Sequence, residues 1–329
     1  MESPATGATL SCSYSSTGFS NPISLSADTA YIVGGIYGNV EALRCVLQMK
    51  LEEEQRLGTA VKLLFNGDYN WLNCDAESFV EINETVLHHF AMRGNVETEL
   101  EDTASGNGCG CNYPSDTDIS LIEQSNAIMK RLQILASEFQ DITAHLASLP
   151  MFCSVTVGDK VVGVLHGDAK SLAGWGFSYE AMPPPRHDDK GSDVTDPIAS
   201  AFRNANVSAF ASSHTGLPFL QDFMVDGTRR IIINNGAAGL PNFQGTTFGL
   251  LSRISARHEP PSDSIYGTIL GAVRFDALPI RYEADAWRKR FLANWPPGSA
   301  AYENYFDRII KGPRHSIENA MRVGKNSSG

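Results

Sequence analysis

Four polar residues stand at the ends of short apolar segments, where β-strands of the chain would finish: Asp68, Asn95, His166 and His214. Ligand sites of open α/β sheets lie at the carboxyl ends of strands, so side chains at these positions can meet in space. One carboxylate, one amide oxygen and two imidazoles suit a borderline divalent cation such as Mn, Fe or Zn. The ordered set therefore predicts a divalent metal site.

Each of the four residues also has an ordinary structural explanation when it is considered alone. Asp68 follows a glycine and could form a turn or cap a helix. Asn95 could belong to a turn, and either histidine could be a hydrogen-bonded structural residue. The metal prediction therefore depends on the four positions taken together.

Five short blocks of the sequence resemble, in order, the motifs of the calcineurin-like metallophosphoesterases. In that family the motifs read Asp-x-His-Gly-Asn, Gly-Asp, Gly-Asn-His-Asp/Glu, a lone His often followed by Gly, and Gly-His-x-His. The corresponding stretches here are residues 35–39, 67–68, 94–97, 166–167 and 213–216. The resemblance covers roughly residues 30–255, and it implies an α/β fold, a sandwich of two mixed β-sheets flanked by helices.

The resemblance implies one intact metal site, held by Asp68, Asn95, His166 and His214. These residues stand where the family has its shared aspartate, its asparagine, its lone histidine and the first histidine of its last motif. Four protein ligands leave room on the ion for water or a phosphate oxygen. We therefore expect a mononuclear site with a single divalent ion per chain.

The family's second metal site has lost three of its ligands in this sequence. Gly35, Tyr37 and Gly216 stand where the family has an aspartate and two histidines. Val96 stands where the family has its proton-donating histidine, and a valine side chain cannot transfer a proton. The resemblance thus implies a degenerate member that lacks one metal site and the usual general acid.

Two residues of the first block, Tyr37 and Asn39, are our candidate catalytic residues. The Tyr37 hydroxyl could donate a hydrogen bond to phosphate, or its ring could fill the vacated space. Asn39 could hold the turn or contact the phosphate. The sequence leaves these alternatives open.

The resemblance implies a metal-dependent phosphoesterase in which a metal-bound hydroxide attacks phosphorus without a covalent enzyme intermediate. The alternative is a catalytically inactive relative that binds a phosphorylated ligand or protein partner. In either case the expected partner is a phosphorylated small molecule or protein. The sequence predicts neither a particular substrate nor an oligomeric state.

Four residues near the predicted ligands each have two interpretations. Glu97 and Asp168 could orient a ligand imidazole, but a solvent-exposed acid is the favoured interpretation of each. Cys109 and Cys111 could form part of a lid, a redox pair or soft metal ligands, but two free thiols in a surface loop are favoured.

The elements that must position the ligands are visible in the residue pattern. A strand, a tight turn and a helix are predicted over residues 31–56, followed by a second strand over residues 61–65. Apolar residues at spacings of three and four over residues 132–149 predict one long helix that ends at Pro150. Residues 152–165 are typical of a β-hairpin.

We divide the chain into three parts. A flexible leader rich in small polar residues is expected over residues 1–28, a metallophosphoesterase-like domain over residues 29–280, and a helical extension over residues 281–329. Between Arg288 and Lys325 the extension carries eight Lys or Arg and three Asp or Glu. We expect a solvated helical face there rather than a nucleic-acid site.

The composition narrows the functional classes. Of the 329 residues 42% are hydrophobic, which excludes global disorder. The net charge of −11 argues against a general nucleic-acid binder. Apolar runs are too short for a membrane span, so no membrane partner is expected. Six mostly separated cysteines are typical of a reduced, cytoplasmic protein.

Overall fold

Two mixed β-sheets, one of seven strands and one of six, form the body of the protein. The computed structural model describes Tyr14 and residues 23–101, 108–184 and 194–323. The strands are β1 (Ile23–Ala27), β2 (Thr29–Val33), β3 (Val61–Asn66), β4 (Phe90–Met92), β5 (Phe152–Val157), β6 (Lys160–Leu165), β7 (Ala209–Ser212), β8 (Phe219–Val225), β9 (Thr228–Asn234), β10 (Gly249–Ser255), β11 (Tyr266–Leu270), β12 (Val273–Ile280) and β13 (Met321–Arg322).

Helices connect the strands and cover the outer faces of the sheets. They are α1 (Val40–Leu57), α2 (Ala76–Leu87), α3 (Asn95–Glu101), α4 (Ile119–Ala136), α5 (Gln140–Ser148), α6 (Asp196–Ala205), α7 (Ala284–Asn294), α8 (Ala300–Lys311) and α9 (Ile317–Ala320). Among the residues that the structure describes, none of these helices has the length and apolar character needed to cross a membrane.

The strand order brings the ends of two parallel groups together. The seven-stranded sheet has the order β1-β5-β6-β7-β9-β8-β13, and the six-stranded sheet has the order β11-β12-β10-β2-β3-β4. Strands β2, β3 and β4 are parallel to one another, and so are β6, β7 and β9. The side-chain amides of Asn66 and Asn235 donate across the two groups to the carbonyls of Leu165 and Gly34, each at 3.1 Å. The loops after both groups therefore meet at one edge.

The core explains why these segments become strands. Ile32 and Leu64 from one sheet pack with Val164 and Ile231 from the other. Every residue of β2 is buried, and Tyr31 on its other face packs among the helices. A strand that is covered on both faces is apolar along its whole length, which is the pattern seen here. The expected sandwich of two mixed sheets flanked by helices is confirmed.

The strand-turn-helix and the hairpin are also found as predicted. Helix α1 begins after Asn39, whose Oδ1 accepts the Ala42 N–H at 3.0 Å, and it ends at Gly58 with a left-handed φ of 68°. Such caps satisfy backbone groups that a helix leaves unpaired. Strands β5 and β6 pair antiparallel around a tight turn, with Val157 opposite Lys160.

The single long helix predicted over residues 132–149 is wrong, because the chain forms two helices there. Phe139 has a non-helical φ of −127° between α4 and α5, and its ring packs on Phe79 at 5.2 Å between centroids. The Thr143 hydroxyl donates to the Ala136 carbonyl at 3.1 Å, which satisfies a group that the break exposes. Tertiary contacts thus interrupt a continuous amphipathic pattern.

The predicted leader and extension both contribute to the sheets. Strand β1 lies within the predicted leader and pairs parallel with β5, Ile23 opposite Cys153. Residues 1–13 and 15–22 lie outside the described residues. At the other end, Met321 of β13 pairs with Leu220 of β8.

The C-terminal helices pack against the main body of the fold. Trp287, Phe291 and Trp295 are buried in the same apolar cluster as α1 and α2. The indole N–H of Trp295 donates to the Leu72 carbonyl at 2.7 Å. Ala301 and Ile309 of α8 belong to the same cluster, so α7 and α8 share a core with the sheets.

Candidate metal centre

His166 lies at the centre of the predicted ligands. It follows β6 and is fully buried, and its Nδ1 lies 2.8 Å from the Asn66 carbonyl oxygen. A carbonyl oxygen only accepts, so Nδ1 carries a proton and donates. Its Nε2 lies 3.3 Å from Asp68 Oδ1, 3.1 Å from Asn95 Oδ1 and 3.2 Å from His214 Nδ1. The structure thus brings together all four predicted ligands.

Backbone contacts orient the two oxygen-bearing side chains. Asn95 begins α3, and its Nδ2 donates to the Cys109 carbonyl at 2.9 Å, which directs Oδ1 towards His166. Asp68 has a left-handed φ of 56° in the turn after β3, and its Oδ1 accepts the Val96 N–H at 3.3 Å. Both oxygens therefore face the same point.

His214 completes the group from the loop after β7. Its ring lies edge-on to Trp175, with 5.4 Å between the ring centroids. Burial, together with the charge of His166, lowers the pKa of His214 to about 3. The imidazole is therefore neutral at physiological pH, and a neutral ring nitrogen is what a metal ion binds.

Asp68 and His166 influence each other's protonation strongly. Burial alone would raise the pKa of Asp68 and lower that of His166, because it disfavours both charged forms. Their mutual attraction and hydrogen bonding outweigh burial, so the pKa of Asp68 is lowered and that of His166 is raised. The pair therefore favours a positive charge beside the carboxylate, either a proton on the imidazole or a metal cation.

The donor set fits a divalent cation. Ligating atoms of Asp68, His166 and His214 lie within 4.8 Å of one another, and Asn95 Oδ1 points at the same place. The hydrogen bond from His166 Nδ1 to a backbone carbonyl is the usual outer contact of a metal-binding histidine. Mixed nitrogen and oxygen ligands of this kind suit Mn, Fe or Zn. The assignment of the four as ligands stays a prediction.

Glu97 is buried, so the favoured interpretation of an exposed acid is wrong. Its side chain accepts the N–H groups of Asp68 and Gly94 on Oε2, at 2.8 and 2.9 Å, and that of Tyr69 on Oε1 at 2.9 Å. Burial, with the charge of Asp68, raises the pKa of Glu97 to about 7. Glu97 joins the loops after β3 and β4, and it thereby fixes Asp68 rather than an imidazole.

Asp168 is likewise buried, and the exposed interpretation fails for the same reason. Its Oδ1 accepts the N–H groups of Lys170 and Ser171 at 2.7 and 3.0 Å, and its Oδ2 accepts that of Gly176 at 2.8 Å. The loop that it organises carries Trp175, which contacts His214. A local acceptor of backbone N–H groups has no distinguishing mark in the sequence.

Tyr37 lies beside the metal ligands. Its backbone is left-handed with a φ of 55°, and its N–H donates to the Asp68 carbonyl at 3.1 Å. Burial, with the charge of Asp68, raises the pKa of Tyr37 well above its ordinary value. The hydroxyl therefore keeps its proton and can donate a hydrogen bond, but it is a poor acid. Its catalytic role stays a prediction.

Asn39 is occupied by structural contacts. Its Nδ2 donates to the Gly239 carbonyl at 2.8 Å, while its Oδ1 caps α1 through the N–H of Ala42. The side chain is fully buried and does not line the pocket described below. Of the two alternatives left by the sequence, these contacts match the one in which Asn39 holds the turn.

A pocket of about 210 Å³ opens beside the predicted ligands. Asp68, Asn95 and His214 contribute to its wall, together with Val96. The other walls carry aromatic rings and one guanidinium, from Tyr37, Trp71, Tyr113, Trp175, Tyr305 and Arg308. A small molecule could therefore reach the predicted metal ligands from this side.

The pocket contains residues that the sequence did not indicate. Arg308 belongs to the basic segment for which a solvated face was expected, but it reaches into the pocket from α8. Its Nη2 donates to the Gly216 carbonyl at 2.7 Å, and its Nε donates to the Pro241 carbonyl at 3.2 Å. Tyr305 on the same helix accepts the indole N–H of Trp71 at 2.7 Å. No local pattern connects α8 with the earlier blocks.

The cysteine loop differs from the expected pair of exposed free thiols. Cys109 and Cys111 are buried and joined by a disulfide, with 5.3 Å between their Cα atoms. Gly110 between them has a left-handed φ of 63°, which turns the chain sharply enough to bring the two side chains together. The Cys109 carbonyl accepts the Asn95 amide, so this loop supports one predicted ligand.

Comparisons with known proteins find related folds but no related sequences. No protein-family model matches the sequence, and no curated protein matches it. A hypothetical protein from Pyrococcus horikoshii has 13% identity and a TM-score of 0.56, over 87% of this chain and 99% of its own. A metallophosphoesterase from Sphaerobacter thermophilus has 16% identity and a TM-score of 0.49, over 87% of this chain and 100% of its own.

The shared fold extends over most of the molecule. The likeness to the Pyrococcus horikoshii protein covers nearly all of that chain, so the two proteins have the same overall architecture. The two mixed sheets and their flanking helices form the α/β sandwich that the sequence predicted. The prediction of this fold is confirmed, whereas function has to be argued from the site.

Proposed function

We propose that this protein is a metal-dependent phosphoesterase with a mononuclear site formed by Asp68, Asn95, His166 and His214. The observation that carries the proposal is the convergence of these side chains on His166 Nε2, within 3.1–3.3 Å. Four separate loops supply them, and a hydrogen bond to Asn66 directs the imidazole. Three groups with acceptor atoms thus surround one buried imidazole nitrogen, an arrangement that a bound cation would stabilise.

A divalent ion in this site would act as a Lewis acid towards the phosphoryl group and towards water. The four residues would hold and orient the ion, and the pocket beside them would admit the phosphate group. The Tyr37 hydroxyl, which keeps its proton, supplies a hydrogen-bond donor for a phosphate oxygen. Val96 offers no proton to a leaving group, so esters with good leaving groups are the preferred substrates.

The alternative is a catalytically inactive protein that binds a phosphorylated small molecule or protein. Val96 favours this alternative, because it lines the pocket and stands at the sequence position of the family's proton-donating histidine. The intact ligand set is compatible with both functions, because a metal ion can also bind an anion or stabilise a fold. Turnover therefore separates the two hypotheses.

Metal binding is tested by titrating the metal-free protein with Mn²⁺ and counting bound ions by mass spectrometry. We expect about one ion per chain for the wild type, and His166→Ala is expected to bind none because it removes the central ligand. The matched control is His89→Ala, which removes a partly buried imidazole that packs on Phe65. Equal Mn²⁺ binding by wild type and His166→Ala would contradict the proposed site.

Catalysis is tested with an aryl phosphate that has a good leaving group, in the presence of Mn²⁺. We expect turnover by the wild type and a loss of at least about 100-fold in His214→Ala, because a ligand of the ion is lost. The control is again His89→Ala, with wild-type turnover. Equal background hydrolysis by wild type and His214→Ala would favour the inactive binding protein.

A further inference from the structure

Arg308 lines the pocket, and only part of its guanidinium is used in hydrogen bonds to other described residues. It uses its Nε–H and one N–H of Nη2 for the carbonyls of Pro241 and Gly216. Among the residues that the structure describes, no carboxylate forms an ion pair with it, and its Nη1 has no hydrogen-bond acceptor. A guanidinium carries five N–H donors, so three of them remain available. An unpaired cation in a pocket wall is suited to an anionic ligand.

Arg308 lies beside a position that corresponds to a lost metal ligand. A Cβ atom added to Gly216 would lie 3.2 Å from Arg308 Nη1, so the guanidinium occupies the space next to residue 216. A side chain at residue 216 would therefore crowd the guanidinium, and the glycine avoids that crowding.

Tyr37 lies in a similar way against Gly35, in the loop after β2. A Cβ atom added to Gly35 would lie 3.3 Å from the ring of Tyr37. Tyr37 and Arg308 both line the pocket beside Asp68. Of the three missing ligand positions, Gly35 therefore lies against the phenol, Gly216 lies against the guanidinium, and the third is Tyr37 itself.

A guanidinium can replace a metal cation in one respect. It brings a fixed positive charge and planar N–H pairs that match phosphate oxygens, and it remains protonated in proteins. It cannot acidify a water molecule as a metal ion does. A site that contains one metal ion and one guanidinium can therefore still neutralise a phosphate on two sides.

We propose that Arg308 binds a phosphate oxygen of the ligand at the position vacated by the second metal, with the Tyr37 hydroxyl as a neighbouring donor. This proposal rests on the proposed function for its choice of a phosphate ligand. It adds a binding residue from α8 that none of the sequence motifs contains. It also accounts for the presence of Tyr37 and Arg308 in the pocket wall beside the remaining ligands.

The test is calorimetric titration of inorganic phosphate into the Mn²⁺-loaded protein and, separately, into the metal-free protein. Arg308→Met is expected to weaken phosphate binding about 10- to 100-fold, which is the range for losing a charge-assisted hydrogen bond. Arg308→Lys, which keeps the charge without the planar fork, is expected to be intermediate. The number of Mn²⁺ ions bound per chain should not change in either variant.

The matched control is Arg290→Met. Arg290 is a partly buried arginine of α7 whose contacts are Ser78 and Glu41, outside the pocket. The Arg290→Met substitution removes one arginine from the same C-terminal region. We expect its phosphate affinity to be within about twofold of the wild-type value. Circular dichroism reports whether each variant is folded.

The outcomes are distinct for the two proposals. Three results would each overturn the role of Arg308. The first is unchanged phosphate affinity in Arg308→Met, and the second is no phosphate binding by the wild type with or without Mn²⁺. The third is a second tightly bound Mn²⁺ ion per chain. If Arg308→Met does not fold, the phosphate affinities of Arg308→Lys and Tyr37→Phe are measured instead. Wild-type phosphate affinity in both variants would overturn the role of Arg308. Failure of the wild type to bind Mn²⁺ would refute the metal site alone, because the metal-free titration still tests Arg308.

Discussion

A buried carboxylate that no motif marks as a ligand organises the predicted metal site. Glu97 accepts N–H groups from both loops that carry the oxygen-bearing ligands, and its two oxygens are each used. The loops after β3 and β4 therefore have a common anchor, which accepts the backbone N–H of Asp68. The order of the site depends on this anchor as well as on the ligands themselves.

Replacing Glu97 by Gln tests this anchor. The glutamine amide would have one accepting oxygen and one donating nitrogen, so at least one of the three buried N–H groups would lose its acceptor. We expect Glu97→Gln to lower the free energy of unfolding by about 1–3 kcal/mol and to weaken Mn²⁺ binding, because the Asp68 loop is released. Urea denaturation and Mn²⁺ titration measure the two effects.

Glu101 offers the control for this substitution. It belongs to the same helix α3 but is exposed, so Glu101→Gln should change the free energy of unfolding by less than about 0.5 kcal/mol. If Glu97→Gln behaved like Glu101→Gln in both measurements, the three backbone hydrogen bonds would not be supporting the site.

At the scale of single elements, the first helix is tied to the opposite loop by one side chain. Asn39 caps α1 and also donates to the carbonyl of Gly239. The cap fixes where α1 begins, while the second contact holds the 235–239 loop against the turn that carries Tyr37. The turn of the first block is thus stabilised from both sides.

Asn39→Ala separates a structural role from a catalytic one. It removes the cap and leaves a buried carbonyl unpaired, so we expect a loss of about 1–3 kcal/mol in the free energy of unfolding. Mn²⁺ affinity and turnover per folded molecule should stay near the wild-type values. Loss of turnover at wild-type stability would instead support the predicted catalytic role. Asp118→Ala, which removes only the exposed cap of α4, should cost about 1 kcal/mol.

The sequence predicted the elements well where the signal is local. Strands β2 and β3, helix α1 and the hairpin follow from apolar runs, caps and turns within a few residues. The α4–α5 break was missed because it depends on Phe139 packing against Phe79, 60 residues away. A hydrophobic stripe shows which face is buried, but it does not show whether a distant contact interrupts the helix.

At the scale of the whole molecule, the site also divides into residues with a local sequence signal and residues that distant contacts bring into place. Its four proposed ligands could be predicted because each lies at a strand end inside a recognisable block. Arg308 could not, since 92 residues separate it from Gly216 and its basic neighbours are typical of a solvated helix. The burial of Glu97 and Asp168 was also missed, because a carboxylate that accepts backbone N–H groups looks like a surface acid in the sequence.

A second buried network connects one sheet to the helix that covers it. Arg253 on β10 is fully buried, and its Nε donates to Glu53 of α1 at 2.9 Å. Its Nη1 donates to Asp276 of β12 at 3.1 Å. Each acid has one further cationic partner, Arg56 for Glu53 and Arg274 for Asp276. The network therefore spans a central strand, an adjacent strand and a helix.

Arg253→Met should destabilise the whole fold without altering the metal site. It leaves two buried carboxylates that have lost a shared partner, and because each keeps one other cation we expect a loss of about 3 kcal/mol in the free energy of unfolding. Mn²⁺ affinity of the folded protein should match the wild type, since Arg253 contacts no predicted ligand. Urea denaturation and Mn²⁺ titration measure the two quantities. Wild-type stability, or weakened Mn²⁺ binding by the folded variant, would contradict this division between scaffold and site.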